Sequence, residues 1–285
     1  MSAPTIESVC KDVETFGWLM DTAQDEGWVW DYIAGFFDCD GVLWADEETG
    51  ELEFRFCQSA NTVIPPTLLA LLSMFGKEDG VSIVSAYEPR VLNNGHRARR
   101  SWCLIIKGAV ALRIAEGIKG KVQVKHDIVA NALDYYHHTA RGPGDARLLN
   151  EVIRQHTLLL HEMAIVSDTL SDAYFGGVFD ADGSVATKLQ GIEIRKPQRH
   201  LLSMAAREYF KTGVYFEYVY ETQKQKGWHT TDVATIERIR KHTFNKHAQL
   251  DLLLECFKKK AKTRHGKRGQ VALPYAAEVK RLKHL

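Results

Sequence analysis

Four aspartates in two short stretches are the residues of this chain whose spacing suggests chemistry. Residues 33–41 read IAGFFDCDG and residues 175–183 read FGGVFDADG. Aligned without a gap, both run apolar, small, Gly, apolar, Phe, Asp, small, Asp, Gly, and the offset from Asp40 to Asp182 is 142 residues. A lone DxDG says little; nine positions repeated in order, each followed by a similar series of segments, point to an internal duplication. If each stretch closes a helix, Gly35 and Cys39 lie one turn apart on one face, and so do Gly177 and Ala181. Small residues at that spacing let two helix backbones approach closely. Helices paired through those faces would bring Asp40 and Asp182 together at their C-terminal ends. Two carboxylates there oppose each other and the negative end of the helix dipole. A divalent cation held by carboxylate oxygens relieves both.

These residues resemble the LAGLIDADG homing endonucleases, in the single-chain form that carries both motifs on one polypeptide. The resemblance extends more loosely from about residue 28 to about residue 262. It implies an α+β fold of two pseudo-symmetric αββαββα halves joined at paired motif helices, with antiparallel sheets forming a DNA-binding saddle. It implies Asp40 and Asp182 as metal ligands and catalytic residues, and assigns Asp38 and Asp180 to structure. Further catalytic residues implied by the family pattern, which position and polarise the attacking water, fall on Gln58, which ends FRFCQ, and on Lys196 in IEIRK, where a Gln is expected. A Lys opening a late helix matches Lys246 in KHAQLDLLL and, less closely, Lys125 in KHDIVANAL, where Ile128 replaces a Gln. The implied reaction is Mg²⁺-dependent hydrolysis of a phosphodiester on each strand of a long asymmetric DNA target, leaving short 3′ overhangs. Mn²⁺ is expected to substitute, and Ca²⁺ to support binding without cleavage. The expected partner is double-stranded DNA bound by a monomer with pseudo-twofold symmetry. Such proteins are often intron-encoded, and some are intron RNA maturases or silent DNA binders, so intron RNA stands as a second partner.

A length of 285 residues allows one large or two smaller domains. The apolar fraction of 45% and charged fraction of 26% are those of a globular chain. No apolar run reaches the roughly 18 residues of a membrane span, and the N-terminus carries no signal-peptide pattern. Cys10, Cys39, Cys57, Cys103 and Cys256 are scattered without a CxxC, which reads as reduced thiols in an intracellular compartment. The net charge of +1 conceals a gradient: residues 1–53 hold fourteen acidic residues and one basic one. The remainder is strongly basic and suits a polyanion.

The segments divide into an acidic N-terminal helical extension (1–27), a first half (28–140), a linker with a helix (141–166), a second half (167–262) and a basic C-terminal tail (263–285). The extension reads as a helix over 5–24. The first motif helix spans 28–40, with Asp25 as cap and Gly41 as stop; Asp168 and Gly183 take those roles in the second. Strands follow at 42–44 and 52–57, with Leu52, Phe54 and Phe56 on one face and Arg55 on the other. A helix over 67–75 follows the Pro65–Pro66 pair, and a strand covers 81–87. An arginine hairpin around Asn94–Gly95 brings Arg90, Arg97, Arg99 and Arg100 together, a basic ribbon suited to the major groove. A strand at 101–106 and helices at 109–116 and 127–136 complete this half. Residues 141–144 (RGPG) mark the boundary, and the helix at 146–165 could span the halves. The second half reads as a strand over 187–194, a helix over 200–210, a strand over 214–221, a basic turn over 223–227 and helices over 233–240 and 246–260. The resemblance implies Lys188, Arg195, Lys224 and Lys226 as DNA-binding residues of this half, and Arg55 as one of the first.

One competing resemblance is to haloacid-dehalogenase-type phosphatases, whose nucleophile motif is similar to FFDCDGVLW and whose late metal motif is similar to SDTLSD. That reading leaves the second DADG unexplained, places Ala34–Gly35 in a buried strand, and lacks a regular βα alternation. An EF-hand loop is weaker, because Val42 and Leu43 occupy positions that need a ligand and a Gly.

Overall fold

The computed structural model of the protein describes residues 27–60, 64–87, 90–91, 97–98, 100–159, 169–186, 189–195, 200–220, 223–263 and 268–282. The helix expected over 5–24, Asp25, Asp168 and the Asn94–Gly95 turn lie outside them.

In the first half the chain runs α1 (Val29–Asp40), β1 (Gly41–Ala45), β2 (Leu52–Ser59), α2 (Pro66–Phe75), β3 (Val81–Tyr87), β4 (Arg90–Val91), β5 (Arg97–Ala98), β6 (Ser101–Lys107), α3 (Gly108–Ile118) and α4 (His126–His138). Gly41 stops α1 with φ −82° and ψ 147°, so the chain passes from helix directly into strand. Asp46 makes the β1–β2 turn by accepting the Glu48 and Thr49 amides at 3.0 and 3.1 Å. Pro66 opens α2, where its missing N–H costs nothing. On β2 the alternation holds: Leu52, Phe54 and Phe56 are buried, while Arg55 and Cys57 face the other side.

A linker helix, α5 (Pro143–Leu159), comes next. It does not bridge the halves in its described length. It docks on the first half through buried Ala146, Leu149 and Ile153. Asn150 fastens it to the sheet edge, donating to the Ala45 carbonyl and accepting the Ala45 amide, both at 2.9 Å. That contact satisfies a strand edge that would otherwise stay open.

The second half contains α6 (Asp172–Asp182), β7 (Gly183–Val185), β8 (Ile192–Arg195), α7 (His200–Phe210), β9 (Val214–Tyr220), β10 (Gln223–Thr230), α8 (Val233–Arg240) and α9 (His247–Ala261). Ser171 caps α6 by accepting the Tyr174 amide at 3.1 Å, the role the sequence assigned to Asp168. Of the strand expected over 187–194 only the end is strand, β8 (Ile192–Arg195); β7 (Gly183–Val185) comes before it, directly after the motif helix. Leu189 (φ 49°) and Gly191 (φ 150°) turn the chain between them. A side chain on Gly191 would strike the Thr230 carbonyl, so the turn packs against β10. The expected basic turn over 223–227 is the start of β10, which Trp228 and Thr230, both buried, anchor to the core. Trp228 stacks on Phe210 at 5.6 Å and donates from Nε1 to the Thr212 carbonyl at 2.9 Å.

The strand order is β1-β2-β6-β3 in one sheet and β7-β8-β10-β9 in the other, antiparallel throughout. Counted within each half, the two orders are the same, as a duplication requires. Where the sequence suggested a basic tail, α10 (Arg268–Leu282) packs on α9. Val279 is buried there, and Tyr275 donates to Glu255 at 2.8 Å. Cys57 and Cys103 are not free thiols: they stand opposite each other in the β2–β6 register, Cα atoms 4.2 Å apart, and form a disulfide. Scattered positions in the sequence hid a pair that sheet register brings together. Cys39 and Cys256 are buried thiols outside this disulfide. Among the described residues no helix is long and apolar enough to cross a membrane.

Candidate metal and nucleic-acid site

The two motif helices touch backbone to backbone. A Cβ built on Gly35 would fall on the Tyr174 carbonyl oxygen and lie 3.1 Å from the Val178 nitrogen. One built on Gly177 would fall on the Tyr32 carbonyl oxygen and lie 2.7 Å from the Phe36 nitrogen. The contact is therefore reciprocal, and only hydrogen at both positions permits it. Asp40 and Asp182 are the last residues of α1 and α6, both half-buried. The charges of both act on the Lys246 ammonium, opposing the lowering of its pKa by burial.

Two residues before each of them, Asp38 and Asp180 are fully buried and organise loops rather than a metal. Asp38 accepts the amides of Gln123 (2.6 Å), Val124 (3.2 Å) and Lys125 (2.8 Å). Asp180 accepts those of Phe244 (2.5 Å), Asn245 (3.1 Å) and Lys246 (2.9 Å). Each thereby caps the helix that follows, α4 or α9, from a distant part of the chain. Each also receives a tyrosine hydroxyl from the opposite motif helix: Tyr174 to Asp38 at 2.7 Å and Tyr32 to Asp180 at 2.8 Å. Burial pushes the Asp180 carboxyl above its ordinary range, against the Lys246 charge and the amides. Burial likewise pushes the Lys246 ammonium down, opposed by Asp180, Asp182 and Asp40.

The phosphatase reading fails on this geometry. FFDCD closes a helix, not a buried strand, and Asp38, its required nucleophile, is sealed beneath three amides and a phenol.

Lys125 and Lys246 sit at equivalent places. Lys125 Nζ donates to the Phe37 and Gly41 carbonyls at 2.6 and 2.5 Å. Lys246 Nζ donates to the Phe179, Asp180 and Ala181 carbonyls at 2.7, 2.7 and 3.3 Å. Both cations thus occupy the C-terminal ends of motif helices, where unsatisfied carbonyls concentrate negative charge. Gln58, buried near the end of β2, donates to the Asp180 carbonyl at 3.0 Å. Its Oε1 is buried and accepts no hydrogen bond from the described residues. Lys196 lies outside the described residues.

The donor set suits a hard divalent cation. Among the described residues no three His, Cys, Asp or Glu side chains cluster as a closed metal cage. Two carboxylates are the kind of ligand a hard divalent cation takes, its shell completed by water or other oxygens.

Strand alternation sorts the basic residues. On the side of the first sheet away from the helices, Arg55 lies 4.0 Å over the Trp44 ring and pairs with Glu53, which also holds Lys107 at 2.9 Å. Arg100 lies 5.5 Å from the Trp102 ring. On the second sheet Arg195 pairs with Glu193 and approaches Phe216 at 5.8 Å. Lys226 differs from expectation. It shares the alternation of buried Trp228, two residues on, and pairs with Glu217 at 3.9 Å, whereas Arg195 stands opposite Gly227. Arg90 and Arg97 belong to the β4–β5 ribbon, and Lys224 to β10 opposite Val219. Arg99 and Lys188 lie outside the described residues. Trp44, Lys107 and Phe216 were missed in the sequence; continuing the period-two alternation of each strand would have found them, as it placed Glu53 beside Arg55.

Paired motif helices, each running into a four-stranded antiparallel sheet of one strand order, are the fold of the LAGLIDADG meganucleases in single-chain form. The chain is similar to I-SmaMI bound to an uncleaved DNA target in the presence of calcium ions, at 12% identity and a TM-score of 0.55 over 89% of this chain and 97% of that one. It is similar to I-AabMI, a LAGLIDADG meganuclease bound to uncleaved DNA, at 13% identity and a TM-score of 0.53 over 88% and 97%. A second I-SmaMI complex, with uncleaveable DNA, gives 11% and 0.54 over 89% and 95%. No family model matches the chain, and no curated protein matches it.

Proposed function

We propose that the chain is a LAGLIDADG homing endonuclease: a site-specific, metal-dependent double-strand DNA nuclease acting as a monomer. The observation that carries this is the convergence of Asp40 and Asp182 at the ends of two helices in backbone contact. The two sheets, bearing Arg55 and Arg195 on their open faces, supply the DNA surface, and the structural neighbours hold DNA. Asp40 and Asp182 would hold Mg²⁺, with Mn²⁺ able to replace it and Ca²⁺ supporting binding alone. Bound there, the metal supplies activation of water and stabilisation of the leaving oxyanion. Lys125, Lys246 and Gln58 hold the motif-helix ends that present the two carboxylates; Lys196 is assigned to the second site. The basic residues Arg90, Arg97, Arg99, Arg100, Lys188, Lys224 and Lys226 are assigned to DNA contact. Segments 28–140 and 167–262 are the two halves, each reading one side of a long asymmetric target that is cut to short 3′ overhangs. No observation favours the intron RNA maturase alternative.

The test is selection from a library of long DNA sites in Mg²⁺, with Asp40→Asn as control. Recovery of one asymmetric site of roughly 20 base pairs, cut only by the unmodified protein, establishes the reading. DNA bound but never cut leaves a DNA binder of this fold.

A further inference from the structure

The two halves are interlocked by buried hydroxyls that cross between them. Tyr32, in the first half, donates to Asp180 Oδ2, the oxygen that also accepts the Phe244 and Asn245 amides. Tyr174, in the second half, donates to Asp38 Oδ2, the oxygen that also accepts the Gln123 and Val124 amides. In both cases the other carboxylate oxygen accepts the amide of the site lysine, Lys246 or Lys125. Neighbouring contacts cross in the same sense. Trp28 packs on His242 at 4.7 Å and Tyr32 on Phe244 at 4.7 Å, while Gln123 Nε2 donates to the Thr169 hydroxyl at 2.7 Å. Thr67, buried in α2, shares a hydrogen bond with the Tyr32 hydroxyl at 3.1 Å and holds it in place.

We propose that Tyr32 and Tyr174 are crossed positioning residues, each fixing the lysine-bearing loop of the opposite half through that half's buried aspartate. The site of each half is then complete only when the other half is docked against it. A single-chain enzyme that must cut two strands gains from this arrangement, because neither site is organised alone. The inference rests on the nuclease reading for its consequence, though not for its geometry. A phenol donating to a carboxylate buried away from solvent is a strong local constraint, because burial makes a lost charge-assisted hydrogen bond costly.

Tyr→Phe keeps the ring and removes only the hydroxyl. Amide hydrogen exchange is measured by mass spectrometry on the full chain for Tyr32→Phe and Tyr174→Phe. Tyr32→Phe is expected to speed exchange of residues 244–246 by about tenfold or more, leaving residues 123–125 within about twofold; Tyr174→Phe does the reverse. Equal acceleration of both loops, or of neither, overturns the proposal, since a general loss of stability would not choose the opposite half. Strand-resolved cleavage is the second readout. Each variant is expected to slow one strand by about tenfold and the other by less than about threefold, the affected strand switching between variants. Equal slowing of both strands overturns the positioning role. If the unmodified protein cuts no DNA, the nuclease reading falls, and the exchange pattern still decides whether the halves are coupled through these hydroxyls.

Discussion

Asp40 and Asp38 stand two residues apart on one helix and do different work, because the end of a helix changes what a carboxylate meets. Asp38 faces inward onto amides and a phenol; Asp40 is the last helical residue, half-buried beside Lys246. Asp40→Asn and Asp182→Asn are therefore expected to lower double-strand cleavage by about a thousandfold or more, through lost metal coordination. DNA affinity in Ca²⁺ should stay within about tenfold. Loss of binding in both variants, read by fluorescence anisotropy, would mean the carboxylates hold the fold. Asp46 offers a pH test. The Thr49 amide, then Lys107 and the Glu48 amide, hold its carboxyl down at about 2 from an ordinary 3.8. With the folded value below the unfolded one, its contribution is present above about pH 4 and fades as pH falls toward 2. Asp46→Ala should destabilise the protein by on the order of 1 kcal/mol at pH 7, with the difference shrinking toward zero near pH 2 in urea titrations. A difference that persists at low pH would assign the effect to turn geometry rather than charge.

The paired helices depend on what is missing from them. Gly35 and Gly177 each face a carbonyl oxygen of the opposite helix, so a side chain at either must push the backbones apart. Gly35→Val or Gly177→Val should cost at least about 1–3 kcal/mol, read as a lowered Tm, and should reduce cleavage more than DNA binding. An unchanged Tm would contradict the close approach. Both motif helices, the first sheet's strands and the helices at 200–210 and 233–240 were legible from periodicity and stops. The elements misread share a physical cause. β10 begins with QKQK, a polar run that resembles a turn; it is a strand because β9 pairs with it from Gln223 onward, and β8 joins on its other side from Gly227. Residues 187–194 look continuous, yet Gly191 allows a turn that packs on β10. The linker helix is amphipathic, but a hydrophobic stripe does not say which half will cover it, and Asn150 on the β1 edge decided that.

At the scale of the molecule, the near-neutral net charge conceals its distribution, and an open basic face predicts strongly salt-dependent DNA binding. With about six phosphates engaged, log K against log salt should fall with a slope near −5, a loss of about a thousandfold between 50 and 200 mM. A flat plot would remove the saddle from the DNA-binding role. The sequence alone determined the duplication, the identity of the two aspartates and the close-packing glycines, because each is a matter of residue type at fixed local spacing. It also supplied Lys125, Lys246 and Gln58 as residues of interest, though not what they touch. Tertiary structure decided the rest: the carbonyl ends that the two lysines bind, the Cys57–Cys103 bond, the placement of Lys226 on the Trp228 side of its strand, and the crossed bonds of Tyr32 and Tyr174. Each of these joins residues from 46 to 148 positions apart or depends on strand register. Local pattern cannot specify such contacts, because they exist only once hydrophobic burial has brought the two halves together.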